Sequence, residues 1–258
     1  MPVHESHPHG APCWADLLTT DADGARAFYG GLFGWSFDIA GAEYNHYTTC
    51  EKGGKTVVGL SAMPPGMPPM PPAWNVYFAS VDVDASCAAI GAAGGTVAMP
   101  PMTVGEMGRM AVALDPSGAY FGMWQAMRHT GSQLLGEDGT VGWFESYSHN
   151  AAAARAFYET VFGLRSQAIP GMDYSTLHLG EGPGLGGIMQ IDASFPAGMP
   201  SVWGVYFMVD SADAATARVK ELGGTVMEGP IDTPYGRMVF AVDPQGAMFR
   251  LLQAPPMP

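Results

Sequence analysis

Two short runs in this 258-residue chain set an aromatic and an acid at alternating positions: Trp14-Ala15-Asp16 and Trp143-Phe144-Glu145. In an extended strand successive side chains point to opposite faces, so Trp14, Asp16 and Leu18 share one face, as do Trp143, Glu145 and Tyr147. A carboxylate buried among aromatics is costly without a task or a partner. Desolvation would raise the pKa of Asp16 or Glu145 and make either a general base for chemistry that needs no metal. The competing reading is an ordinary ion pair within the sheet, to Arg109 or Arg237. The same alternation groups Asn75 with Tyr77 and Gly204 with Tyr206, then Gly122 with Trp124 and Arg250 with Leu252. Together Trp14, Asn75, Tyr77, Trp124, Trp143, Tyr147, Tyr206 and Arg250 would line aromatic walls, each with a carboxylate and a phenol. Such walls suit a flat, partly polar organic ligand held by stacking and a few hydrogen bonds. Tryptophans on buried strands equally suit plain core packing.

Other arrangements carry less chemistry. His4-Glu5-Ser6-His7-Pro8-His9 gathers imidazoles in a stretch with no helical pattern, so adventitious metal binding fits it better than catalysis. Gly182-Pro-Gly184-Leu-Gly186-Gly187 matches a dinucleotide fingerprint, but it leads into Ile188-Met-Gln-Ile, a strand-like run. Without a helix N-terminus there is no amide cradle for a pyrophosphate. His46, between Tyr44 and Tyr47 in a run read as a strand, is placed to reach a pocket or to sit as an ordinary histidine. Met63, Met67 and Met70 fall in a Pro-rich connector that could cover a pocket mouth, where thioethers adapt to ligand shape.

The elements that must position these residues are written twice. Ala25-Arg26-Ala27-Phe28-Tyr29 recurs as Ala154-Arg155-Ala156-Phe157-Tyr158, an offset of 129, half the chain. The offset also carries Trp74-x-Val76-Tyr77-Phe78 onto Trp203-x-Val205-Tyr206-Phe207, and Gly94-Gly95-Thr96-Val97 onto Gly223-Gly224-Thr225-Val226. After a slip of one residue, Asp115-Pro116-x-Gly118 meets Asp243-Pro244-x-Gly246. In each half a strand (Trp14 to Thr19; Trp143 to Ser148) ends at a helix-capping Asp21 or Asn150. Ala25, Phe28, Tyr29 and Leu32, like Ala154, Phe157, Tyr158 and Val161, then form one apolar helical stripe. Strand-like runs follow at Tyr44–Cys50 and Val57–Met63, and at Tyr174–Leu179 and Ile188–Ile191. A second strand, helix and strand set starts at Trp74 and at Trp203, its helix stopping at Gly94 or Gly223. The fold class is therefore α+β, with four βαβββ motifs. The chain divides into a flexible lead-in (1–11), a first module (12–129) and a second (130–258).

The doubled cap-Ala-Arg-Ala-Phe-Tyr-x-x-x-Phe-Gly segment and the doubled Asp-Pro-x-Gly-x-x-Phe ending resemble the vicinal oxygen chelate superfamily, that of glyoxalases, bleomycin-resistance proteins and extradiol dioxygenases. The layout is similar to the two-module subgroup of glyoxalase-like 27-kDa antigens and antibiotic-biosynthesis hydroxylases. The resemblance implies that paired βαβββ motifs curl into half-open, cup-shaped barrels, two in this chain. It also implies three metal-ligand positions per cup, which fall here on Trp14, Asn75 and Gly122, and on Trp143, Gly204 and Arg250. None is His, Asp or Glu, whereas a divalent cation in such a cup needs imidazole and carboxylate ligands. The expectation is that the metal site is lost in both cups and no cofactor is bound.

Composition narrows the remaining classes. A net charge of −13 repels phosphate backbones and anionic lipid, so neither nucleic acid nor membrane is expected as a partner. No apolar run reads as a signal or a spanning segment, and three cysteines are an odd set for a disulfide framework, so a cytoplasmic location is expected. Three functions compete. The leading one is a metal-independent binder of an aromatic or polyketide-like natural product, sequestering it or assisting its biosynthesis. The second is an enzyme of the same fold, a lyase, isomerase or hydroxylase using an external cofactor, with Asp16 and Glu145 as its catalytic candidates. The third is a scaffold with its cups packed shut. Carrying both modules, the chain can complete its cups as a monomer, with a homodimer as the alternative.

Overall fold

The computed structural model describes residues 3–64, 66 and 70–255. The first motif runs β1 (Pro12–Thr19), α1 (Ala22–Phe33), β2 (Ser36–Ile39), β3 (Thr48–Lys52) and β4 (Lys55–Ala62). The second has β5 (Ala73–Ala79), α2 (Val83–Ala92), β6 (Thr96–Val104), β7 (Gly108–Leu114) and β8 (Tyr120–Ala126). The other half repeats them as β9 (Val141–Ser148), α3 (Ala151–Phe162), β10 (Leu164–Ala168), β11 (Tyr174–Leu179) and β12 (Gly184–Gln190). It closes with β13 (Val202–Met208), α4 (Ala212–Glu221), β14 (Thr225–Thr233), β15 (Gly236–Val242) and β16 (Met248–Gln253). Each half builds its own eight-stranded sheet, ordered β2-β3-β4-β1-β5-β8-β7-β6 and β10-β11-β12-β9-β13-β16-β15-β14. The four βαβββ motifs thus form an α+β fold of two open, curled sheets.

Local chemistry sets the helix ends as the sequence suggested. The Asp21 carboxylate accepts from the Gly24 amide and Asn150 from that of Ala153, satisfying donors that the first helical turn leaves open. Gly34 and Gly163 end α1 and α3 at φ 72° and 69°, a conformation that disfavours residues with a Cβ.

Three expectations shift. The run at Tyr44–Cys50 is not one strand. Residues Ala42–Tyr44 form a short 3-10 turn, Asn45 and His46 take positive φ, and β3 begins only at Thr48. His46 is therefore exposed on a turn instead of reaching a pocket from a strand. The short edge strands β2 and β10 had no clear alternation to reveal them. The lead-in, expected to be flexible, is tied down over its described residues 3–11: the His4 amide donates to the Gln133 carbonyl, His7 bonds Ser132, and the Gly10 amide donates to the Ala79 carbonyl.

The apolar helix stripes join the two halves. Phe28 and Tyr29 of α1 pack on Phe249 and Phe207 of the second sheet, while Tyr158 and Phe162 of α3 pack on Phe78 and Phe121 of the first. Two matching relays cross the seam. Trp74 donates to the Tyr29 hydroxyl, which donates to Asp243; Trp203 donates to Tyr158, which donates to Asp115. Asp115 and Asp243 belong to the Asp-Pro-x-Gly turns, so each turn is gripped by the other half's helix. One continuous core results, and both sheets turn their opposite, concave faces away from it.

Candidate functional site

Strand alternation sends Val76 and Phe78 into the shared core and leaves Asn75 and Tyr77 on the concave face of the first sheet. Pairing aligns Trp14 with Tyr77, Asp16 with Asn75, and Tyr77 with Gly122, so the expected residues converge on one floor. Above them lies a cavity of about 680 Å³, lined by Trp14, Asp16, Tyr77 and Trp124 among others. That volume falls within the range of small-molecule sites.

Asp16 is 9% exposed and sits at the floor. One carboxylate oxygen accepts from the Asn75 amide at 3.0 Å; the other accepts from the Tyr77 and Tyr47 hydroxyls at 3.1 and 3.3 Å. Burial pushes its pKa above the usual carboxylate value, against the opposing pull of these hydrogen bonds. The ion pair considered from sequence does not form. Arg109 binds Asp84 and Arg237 binds Asp213 and Asp232, all at the surface. The acids Asp84 and Asp213 lie in the first turns of α2 and α4, where the helix start favours negative charge and draws these arginines to the sheet's other side.

Several lining residues escaped the sequence reading. Tyr47 accepts from the Trp14 indole at 2.9 Å and hands its own proton to Asp16. His129, a lone histidine outside any repeated motif, packs edge-on to Trp14 with ring centroids 4.4 Å apart. Burial lowers its pKa to about 4, so it stays neutral at physiological pH, and its buried Nε2 lacks a hydrogen-bond partner. The thioethers on the wall are Met102, Met107 and Met110, from the β6–β7 hairpin. Met63 and Met70 of the connector do not line the cavity, and Met67 lies outside the described residues. Repetition was the available signal for Tyr47, because Tyr174 repeats it, accepting from Trp143 at 2.9 Å. The offset there is 127 instead of 129, which hides the match.

The second sheet brings Trp143, Glu145, Tyr147, Tyr206 and Arg250 together on its concave face but fills its own floor. Tyr206 donates to Glu145 at 2.6 Å, and Tyr147 donates to Tyr206 at 3.0 Å. The Arg250 guanidinium lies 4.5 Å from the Tyr147 ring centroid and 5.5 Å from that of Tyr206. It folds across Gly204, where any Cβ would collide with it. Arg250 and Glu145 are 5% and 6% exposed, so this cation and this acid are both withdrawn from water.

The six positions implied as metal ligands supply indole, one neutral amide, bare backbone and a guanidinium. These groups do not fit a divalent cation, and Arg250 would repel one. Among the described residues no group of three or more His, Cys, Asp or Glu is placed to hold a metal ion. Nor is any described helix long and apolar enough to cross a membrane.

The sequence profile of the Glyoxalase/Bleomycin resistance protein/Dioxygenase superfamily matches residues 13–123 and 140–251. The chain is 41% identical over 264 residues to the Mycobacterium bovis protein named "Putative glyoxylase CFP32", with 99% of each chain covered. It is 36% identical over 261 residues to the Streptomyces peucetius anthracycline biosynthesis protein DnrV, with 95% of this chain and 93% of that one covered. Among solved structures, the Mn(II)-bound glyoxalase from Novosphingobium aromaticivorans superposes with a TM-score of 0.67 at 20% identity, over 95% of this chain and 82% of that one. The 2,3-dioxygenase LapB from Pseudomonas sp. KL28 gives 0.67 at 14% identity, over 96% and 93%.

Proposed function

The chain belongs to the Glyoxalase/Bleomycin resistance protein/Dioxygenase superfamily, and from that premise we propose that its first cup binds an aromatic or polyketide-like small molecule without a divalent metal. The cup sequesters that molecule or presents it to a biosynthetic partner. The observation carrying this reading is the 680 Å³ cavity whose walls are Trp14, Trp124, Tyr47 and Tyr77 and whose floor is Asp16. Indole and phenol faces favour a flat conjugated ligand, and the floor supplies a directional polar contact. The name of the Streptomyces relative, an anthracycline biosynthesis protein, points to the same ligand class. An open cavity of this size counts against a scaffold with closed cups. The raised pKa of Asp16 favours one second reading, proton transfer by Asp16 on a bound substrate; that reading expects a turnover which Asp16→Asn abolishes, whereas the binding reading expects none in either protein.

The test is thermal unfolding of the tag-free protein against a panel of anthraquinones and related polyketides, with and without chelator. A ligand at about a hundred times its Kd adds about 2.7 kcal/mol to the folded state, so Tm rises by several degrees. The reading expects a rise that chelator leaves unchanged. Stoichiometric metal in the purified protein, or no rise across the panel, overturns it.

A further inference from the structure

The two floors differ in how they treat their carboxylates. Glu145 shares its pocket with Arg250, placed by the parallel pairing of β13 and β16 opposite Tyr206. In the first cup the same pairing sets Gly122 opposite Tyr77, so the position that brings a cation near Glu145 offers only backbone near Asp16. The corner over Gly204, where the guanidinium rests, is filled in the first cup by Asn75, a neutral amide. Asp16 is thus satisfied in hydrogen bonds and uncompensated in charge. A buried acid in that state is destabilised until something positive comes within reach.

The surroundings do not supply it. Of the side chains lining the cavity, Asp38, Glu43 and Glu51 add negative charge. Arg128 is the cationic one, and it is held at the rim by Glu106 at 2.6 Å. A low-dielectric cleft lined by one sign of charge focuses its field on whatever enters. Aromatic faces around the floor also suit a cation, as the second cup illustrates where Arg250 lies over Tyr147.

We infer that the ligand of the first cup carries a cationic nitrogen, a protonated amine beside its aromatic rings, which docks on Asp16 and brings the positive charge that Arg250 brings near Glu145 in the second cup. This rests on the reading of the first cup as a binding site for aromatic molecules, and narrows its ligand class. A planar aromatic amine enters ammonium-first, its nitrogen donating to the Asp16 oxygens at the floor while its rings lie against the aromatic wall.

The experiment uses three fluorescent probes of one shape: 9-(methylaminomethyl)anthracene, 9-anthracenemethanol and 9-anthracenecarboxylate, titrated into the full chain at pH 7.5. The amine is expected to bind at least about tenfold tighter than the alcohol, the scale of a charge-assisted hydrogen bond, with the carboxylate weakest. Asp16→Asn should bring the amine down to the level of the alcohol while the alcohol stays unchanged. The order of the three probes on the unaltered protein needs no variant and stands if Asp16→Asn folds poorly. Equal affinity for amine and alcohol, or tightest binding of the carboxylate, overturns the charge inference and leaves the aromatic site intact. If none of the three binds, the binding-site reading falls and the inference with it.

Discussion

In the first cup three neutral donors meet Asp16 below an open cavity; in the second, Glu145 lies with Tyr206, Tyr147 and Arg250 in a packed floor. The walls are nearly the same, since the Trp14–Tyr47 bond is repeated by Trp143–Tyr174 and the Tyr77 contact by Tyr206. Besides Asp16/Glu145 and Trp124/Leu252, three exchanges reshape the floor: Leu18 becomes Tyr147, Asn75 becomes Gly204, and Gly122 becomes Arg250. They act together, because Arg250 needs the bare backbone of Gly204 to lie flat and the Tyr147 ring to lie on. Similar architecture can therefore present an acid to a guest or bury it as structure, according to which strand carries the glycine.

The largest test of this contrast is Arg250→Met. Leaving Glu145 buried without its cation should cost about 3 kcal/mol, read as a lower midpoint in denaturant unfolding. Adding Glu145→Gln should recover much of that loss, the coupling expected of a compensated pair. An additive double variant would mean that Arg250 does not serve Glu145.

Next come the relays on the shared seam, where the halves should behave alike. Tyr29→Phe strands Asp243 and the Trp74 indole, and Tyr158→Phe strands Asp115 and the Trp203 indole. Each should cost about 1–2 kcal/mol, and the two by similar amounts. Clearly unequal values would show that the modules differ in their backs as well as their cups.

A smaller effect of opposite sign is expected at Asp16. Burial raises its pKa, so its contribution to stability is full below the ordinary carboxylate value and is lost as pH rises through the raised one. Asp16→Asn does not titrate, so relative to the parent it should gain stability as pH rises from the ordinary carboxylate value through the raised one. Parallel Tm curves for variant and parent from pH 3 to 8 would contradict this. Smallest of all is the effect of chelator on ligand-induced stabilisation in the first cup, expected to be nil by the same thermal assay.

Much of this arrangement was legible in the sequence because duplication supplied its own alignment. The 129-residue offset identified paired strands and caps, and alternation then put Trp14, Asp16, Asn75 and Tyr77 on one concave face. What stayed hidden depended on distances that strand periodicity does not encode. Tyr47 reaches Asp16 because Asn45 and His46 turn the chain with positive φ just before β3, and the repeat slips by two residues there. His129 enters from the connector between modules, where no period applies. Arg109 and Arg237 were offered as partners for the buried acids, and the competing acids at the helix starts claimed them. The helical stripes were rightly apolar, but a stripe does not say which sheet it meets, and these meet the sheet of the other half as well.

That exchanged packing has a consequence for the history of the molecule. Two relays related by a pseudo-twofold, each helix gripping the opposite turn, are the pattern of an isologous contact between identical partners. A half-length ancestor using this seam would be a symmetric pair, in which any substitution is stamped on both pockets at once. Joining the copies end to end frees them from that identity. One pocket can then keep an acid open to a guest while its twin locks the matching acid beneath an arginine.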